Sequence, residues 1–188
     1  HIRSFNMKAK IGRDAPLNGE LRLRTRDNHQ VLYLETDDAG ALFRFTDFYP
    51  RMFGGKMWMA MDPPTKDNTP QLGVLSVQNF VVRGEAALDR VMSSAPDKAR
   101  SSVEFTEMRA EFTRTPGRMT IRDGVVRGPA VGATIDGQID LVRDDMRLHG
   151  TFVPLYGLNN MFGKIPIVGL FLGGGSNEGL VGITYEAS

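Results

Sequence analysis

The stretch Val131-Gly132-Ala133-Thr134-Ile135-Asp136-Gly137-Gln138-Ile139-Asp140-Leu141 repeats with a period of two. Its odd-numbered positions are apolar or glycine, and its even-numbered positions are polar from Thr134 onward. Successive side chains of a strand point to opposite faces of the sheet, so this alternation predicts a strand with one dry and one solvated face.

Comparable runs along the chain predict a sheet of several strands. Less regular alternation occurs around Leu21, Leu32, Met57, Leu72, Met108, Met119 and Met146. Turn-forming residues separate these runs at Asp27-Asn28, Gly54-Gly55, Asp62-Pro63-Pro64, Pro116-Gly117, Asp123-Gly124, Gly128-Pro129 and Asp144-Asp145. Because parallel crossovers need a dozen or more residues, strands about ten residues apart favour antiparallel pairing. We expect a mainly β fold, an antiparallel meander sheet curled into an open groove or partial barrel.

Two to four short helices are expected as lids or caps on this sheet. Residues 38–48 can form a helix with Asp37 or Asp38 as its N-cap. Residues 85–92 follow Gly84 and predict a second short helix, with Leu88 and Met92 on one face.

Composition limits the classes of protein to which the chain can belong. It has 188 residues with 23 Lys or Arg against 22 Asp or Glu, spread evenly over both halves. This length predicts a single domain, with a first strand and helix unit over residues 17–93 and a second strand unit over residues 101–187. The balanced charge argues against nucleic-acid binding. The absence of cysteine excludes disulfides, thiolate metal sites and a cysteine nucleophile.

An apolar closing segment spans residues 148–177, in which Lys164 is the one Lys, Arg, Asp or Glu. Residues 155–162 are helix-capable, and a short helix is expected to begin near Pro166 and to end at Gly173-Gly174-Gly175. One interpretation is a pair of amphipathic segments that close the end of an open sheet. The other is an apolar surface that faces lipid or a lipid-filled groove, since large apolar patches usually have a ligand or partner.

Two groups of motifs frame the chain. The first group consists of Asp37-Asp38-Ala39-Gly40-Ala41-Leu42 followed by Gly54-Gly55-Lys56-Met57. The second group consists of Gly150-Thr151-Phe152-Val153-Pro154-Leu155-Tyr156-Gly157-Leu158-Asn159, followed by Ile165-Pro166-Ile167-Val168-Gly169 and Gly179-Leu180-Val181-Gly182-Ile183-Thr184-Tyr185. Over roughly residues 17–187 they resemble the C-terminal domain of AsmA-like proteins of Gram-negative bacteria. The resemblance implies a periplasmic fragment of a longer protein that is anchored in the inner membrane. It also implies likeness to bridge-like lipid-transfer proteins, and a role in phospholipid transport to the outer membrane and in envelope integrity.

The expected partners are phospholipid acyl chains, flanking domains of the same full-length chain, and a membrane reached through segments outside this sequence. A groove of this kind shields acyl chains on an apolar concave face. The candidate lipid-binding residues are Met57, Met59, Met61, Val131, Ile135, Ile139, Leu141, Phe152, Leu170 and Phe171. Methionine suits irregular ligands, although Met57, Met59 and Met61 also fit ordinary core filling.

The other patterns nominate no catalytic residue, no metal ligand and no cofactor. His29 and His149 lack a second ligand at metal-binding spacing, and no Gly-x-Ser-x-Gly motif is present. We therefore expect a protein that is not an enzyme. The alternative to lipid transport is a structural module for outer-membrane protein biogenesis that acts through exposed sheet edges.

Overall fold

A computed structural model of the chain describes residues 5–24, 28–86, 88–89, 102–143, 145–154 and 183–187. Within these residues ten strands form one sheet in which every strand lies beside its neighbours in sequence, all antiparallel. They are β1 Asn6–Ile11, β2 Ala15–Arg24, β3 His29–Thr36, β4 Met52–Met61, β5 Gln71–Arg83, β6 Ser102–Thr115, β7 Arg118–Arg127, β8 Val131–Asp140, β9 Asp145–Pro154 and β10 Ile183–Ala187. The first and last of these strands do not pair, so the sheet stays open. The mainly β meander that the alternation predicts is confirmed.

One row of directly paired residues defines the two faces of the sheet. Met57 pairs with Val77, Val77 with Met108, and Met108 with Val126, so their side chains lie on one face. Ala133 continues the row on β8. Four of the five are buried, and Met108 packs against the same core cluster. We call this the inner face and the opposite side the outer face.

Residues with positive φ reverse the alternation inside long strands. In β5, Val77 and Phe80 are both buried although they are three positions apart, and Asn79 between them has a φ of 55°. Gly54 and Gly55 have φ values of 68° and 96° at the neighbouring level of β4. An extra or left-handed residue changes which face the following side chains reach, as in a β-bulge. Both halves of these strands therefore turn apolar residues to the inner face.

Two predicted turns are wrong for the same reason. Gly54-Gly55 lies inside β4, and Asp123-Gly124 lies inside β7, where Asp123 has a φ of 49° and the pairing register shifts. Glycine and aspartate tolerate the left-handed region that tight turns need, but a bulge uses the same conformation without ending the strand.

Helix α1, Ala39–Phe45, packs on the beginning of β4. Its N-cap is Asp38, whose carboxylate Oδ1 accepts a hydrogen bond of 2.8 Å from the Ala41 amide. Gly40 permits the close approach, because a Cβ there would lie 2.6 Å from the carbonyl oxygen of Met52. The helix predicted at residues 38–48 is confirmed, and of the two candidate caps Asp38 is the one used.

The other predicted helices are described only in part or not at all. Residues 86 and 88–89 are helical, and the Asp89 amide donates to the Glu85 carbonyl at 3.0 Å. Leu88 is buried in the core cluster. The predicted helices at residues 155–162 and near Pro166 lie outside the described residues. Within the described residues, α1 is the one helix whose full length is given.

Candidate functional site

The inner face has a closed region beside α1. Phe43 of α1 joins Met52, Val82 and Val103 in one buried cluster. The rings of Phe80 and Phe105, neighbours on β5 and β6, stack with centroids 5.2 Å apart. Packing between the helix and the strands fills this region with the side chains of the protein itself.

Farther from α1, the inner face carries apolar side chains that are only partly buried. Leu34, Met59 and Leu75 are direct cross-strand partners on β3, β4 and β5. Met108 and Ile135 border them toward β8. The apolar lane is the set of partly buried inner-face residues Leu34, Met59, Leu75, Met108, Ile121 and Ile135. It is a continuous apolar strip that crosses the strands and keeps some contact with solvent.

Glycines widen the inner face beside this lane. Gly73 pairs with Phe112, and a Cβ at Gly73 would overlap the Phe112 ring, which lies across it. Gly137 has a φ of 146° and lies two residues from Ile135. At Gly73 the absence of a side chain lets the Phe112 ring lie flat against the sheet, and at Gly137 it accommodates the close backbone of Arg147.

A hydrogen-bonded polar pair of the inner face lies at the end of the sheet remote from α1. Arg114 pairs with Gln71 in register, and its guanidinium Nη1 donates to Gln71 Oε1 at 2.8 Å. Gln71 Nε2 in turn donates to the Asp62 carbonyl at 2.7 Å. Arg114 is thereby held in place on β6 beside the apolar lane, toward the strand ends remote from α1, where it presents a fixed positive charge.

The candidate residues on β4 and β8 share the inner face but differ in accessibility. Met57 is 2% exposed and Val131 is fully buried, so both contact protein alone. Met61 is also buried, and Ile139 is 6% exposed. Met59 and Ile135 are partly exposed and belong to the apolar lane.

Four further candidates lie elsewhere. Phe152 pairs in register with Ala133 in the backbone of β9. Leu141 lies just after β8 in a turn and is 45% exposed, because Asp140 accepts hydrogen bonds from the Val142 and Arg143 amides there. Leu170 and Phe171 lie outside the described residues.

Sequence reasoning nominated neither Leu34, Leu75, Met108 nor Arg114 as site residues. Leu34 and Met108 stand at apolar positions of predicted strands, so the period of two could have found them. The alternation around Leu72 has the opposite phase to Leu75, and the structure leaves Leu72 62% exposed. Arg114 sits at an inner-face position in an otherwise apolar series with Ala110 and Phe112. The signal that could have identified Arg114 is a charged residue at a position where the period of two predicts an apolar one.

Searches for related proteins add no family to this geometry: no protein-family model, no curated protein sequence and no solved structure matches the chain. In the described residues, no helix is long and apolar enough to cross a membrane. Nor does that part of the chain bring together three or more His, Asp or Glu side chains able to hold a metal ion.

Proposed function

We propose that the chain is a periplasmic β-groove module of an AsmA-like protein anchored in the inner membrane. In this role it supports phospholipid transport to the outer membrane and envelope integrity by shielding acyl chains on the inner face of the sheet. The observation that carries the proposal is the apolar lane, whose side chains are apolar, contiguous across strands and incompletely covered.

The energetic argument rests on the area that a lipid would cover. Each methylene removed from water contributes about 0.8 kcal/mol, so an acyl chain that buries five methylenes on the lane gains roughly 4 kcal/mol. Met59 and Met108 adapt their unbranched side chains to ligands of varied shape. The lane runs across the strands, so a chain lying along it contacts several strands at once.

In this proposal Arg114 marks the place of the lipid head group. A phosphate is recognised well by a guanidinium that a neighbour holds in a fixed orientation. Gln71 supplies that orientation through its 2.8 Å hydrogen bond with Arg114. The acyl chain would extend from this end along Leu75 and Met59, away from the polar pair.

Site-specific photocrosslinking in cells tests the proposal directly. A photoreactive amino acid at Ile135 or Met59 is expected to yield phospholipid adducts, identified by mass spectrometry of the purified protein. The matched controls are Asp136 and Ala60, one residue away on the outer face, which are expected to yield none. Adducts of equal yield on both faces, or protein-only adducts at Ile135 and Met59, would contradict the proposal.

A second measurement separates the groove from its polar end. Native mass spectrometry of gently extracted protein is expected to find bound phospholipid, with loss of most of it in Met59→Asp. Arg114→Gln is expected to shift the retained species toward lipids without a phosphate. Retention of the same phospholipid in all three proteins would exclude the lane as its binding site.

The open sheet supports a second candidate function, a structural module for outer-membrane protein biogenesis that docks a partner strand at an exposed edge. β1 pairs on one side alone within the described residues. Its exposed residues Lys8 and Lys10 are of the kind that protects edges against strand addition, which favours the first candidate. Proline at Lys8 and, separately, at Ala9 tests the second: loss of function in either variant, with Met59→Asp tolerated, would favour edge docking.

A further inference from the structure

The outer face carries a polar cavity that the proposed groove does not use. It has a volume of about 290 Å³ and is formed by β1, β2 and β3. Its amide side chains come from Asn6 and Asn18, and its charged side chains include Glu20, Arg22 and Glu35. This volume is close to the lower limit of roughly 300 Å³ for small-molecule sites.

An aromatic pair lies at the edge of this cavity. Tyr33 lines it, and the Tyr33 and Trp58 rings are nearly parallel, 13° apart in plane, with centroids separated by 6.5 Å. Trp58 is the direct cross-strand partner of Glu35. Both rings are only partly buried, so part of each stays accessible to a ligand.

Arg22, Glu20 and Tyr33 contact one another inside the cavity. The Arg22 guanidinium lies 3.8 Å from the centre of the Tyr33 ring and bonds through Nε to the Glu20 carboxylate. The Glu20 contact raises the pKa of Arg22 further. Burial and the Glu35 carboxylate raise the pKa of Tyr33, so its hydroxyl remains a proton donor. The cavity therefore places a guanidinium, carboxylates, amides and a phenol hydroxyl side by side.

The charge balance of the cavity restricts the class of ligand. Lys8 and Arg22 are balanced by Glu20 and Glu35, so neither an anion nor a cation meets a favourable net charge. A ligand rich in hydroxyl groups is both donor and acceptor and matches amides, carboxylates and a guanidinium together. The flat apolar faces of a sugar ring pack on aromatic rings.

From this combination we propose that the outer face binds a neutral oligosaccharide, with one sugar unit in the cavity and the next toward Trp58. Asn18, Glu35 and the Tyr33 hydroxyl bond to its hydroxyl groups, and the exposed part of the Trp58 side chain contacts a ring face. The site is independent of the apolar lane because the two lie on opposite faces of the sheet.

Trp58 is the single tryptophan of the chain, so its fluorescence reports on the site. The protein is titrated with cellohexaose, chitohexaose and maltohexaose, and at least one is expected to change the Trp58 emission in a saturable way. Isothermal calorimetry provides the dissociation constant independently. Asn18→Ala and Glu35→Gln are each expected to weaken binding at least fivefold.

The matched control is Gln138→Ala, an exposed residue of the same face on β8, which is expected to leave the affinity unchanged. Tyr33→Phe, which keeps the ring, is expected to weaken binding less than Tyr33→Ala, and circular dichroism checks that both variants fold. No saturable response to any of the three sugars would overturn the proposal. An equal affinity for the sugar in wild type, Asn18→Ala and Glu35→Gln would show that the sugar does not bind in this cavity, which would overturn the proposed site.

Discussion

Replacement of Gly40 by alanine tests how tightly α1 is seated on the sheet. Within a helix, alanine is favoured over glycine by about 1 kcal/mol, so propensity alone predicts a more stable protein. The added Cβ would lie 2.6 Å from the Met52 carbonyl oxygen and 2.8 Å from Phe53 Cα. Both are backbone atoms of β4, which cannot turn aside as a flexible side chain can.

The steric overlap of the new Cβ with β4 outweighs the gain in helix propensity. Overpacking of a well-packed site costs roughly 1–3 kcal/mol. Most of this range lies above the gain of about 1 kcal/mol from helix propensity. We expect Gly40→Ala to lower the free energy of unfolding by up to about 2 kcal/mol, and Gly40→Leu to lower it more. Displacement of α1 would also expose Phe43 and Met52 of the closed region.

Urea unfolding followed by Trp58 fluorescence and by circular dichroism measures the change, with the transition midpoint and slope recorded for each variant. The control is Phe45→Ala, because Phe45 is 79% exposed in the last turn of the same helix. It introduces alanine without a close contact and is expected to change stability by no more than about 0.5 kcal/mol. A midpoint for Gly40→Ala at or above that of wild type would refute the packing argument.

Three further experiments test other parts of the fold. Asp38→Ala removes the acceptor of the Ala41 amide and is expected to cost about 0.5–2 kcal/mol in urea unfolding, whereas Asp38→Asn retains an acceptor and is expected to cost less. Hydrogen bonds from the Arg143 and Val142 amides lower the pKa of the Asp140 carboxyl. The contribution of Asp140 to stability is therefore complete above the unfolded pKa of about 3.9, and it is lost as the pH falls through the lower pKa of the folded state. Thermal melts from pH 7 to pH 2 are therefore expected to show a smaller loss for Asp140→Asn than for wild type; parallel curves would contradict this. Gly73→Ala and Phe112→Leu are each expected to lower the free energy of unfolding. Because the new Cβ of Gly73→Ala meets the Phe112 ring, a urea double-mutant cycle is expected to show a smaller loss of unfolding free energy in the double variant than the sum of the two single losses.

The class of fold was predictable because a half-buried antiparallel sheet imposes its period of two on the sequence. Ala133, Ile135 and Ile139 follow this period in β8 and all occupy the inner face. Asp38 was predictable as a helix cap because its type and position relative to the following apolar residues satisfy a local requirement. These features depend on residues close together in the chain.

The strand interiors that contain Gly54-Gly55 and Asp123-Gly124 were not predictable in the same way. A left-handed residue serves a turn and a bulge equally well, and the partner strand decides between them. In β4 the partner is β5, where Asn79 is left-handed at the same level of the sheet. Pairing of this kind joins residues far apart in sequence and leaves no local signature.

The candidate site was predictable as a face but not as a set of accessible residues. Met57, Met59 and Met61 are equivalent in the alternation, yet Met57 contacts only protein while Met59 is partly exposed. The difference follows from the neighbours of each side chain, because Met57 belongs to the buried core cluster that includes Phe43 of α1 and Met59 does not. How far a short helix reaches across a sheet follows from tertiary packing, which the local pattern does not encode.

The strict agreement between strand order and chain order has a consequence for how such a protein can change in length. Every strand exchanges hydrogen bonds with its sequence neighbours alone in the described sheet, as units of a linear array do. Insertion or deletion of a whole hairpin between two strands preserves every other pairing and the face that each side chain occupies. Because neighbouring strands are about 4.8 Å apart, each added hairpin extends the apolar surface by roughly 10 Å. The width of the sheet is thus a quantity that evolution or design can adjust in discrete steps at strands outside the core cluster, such as β1 and β2.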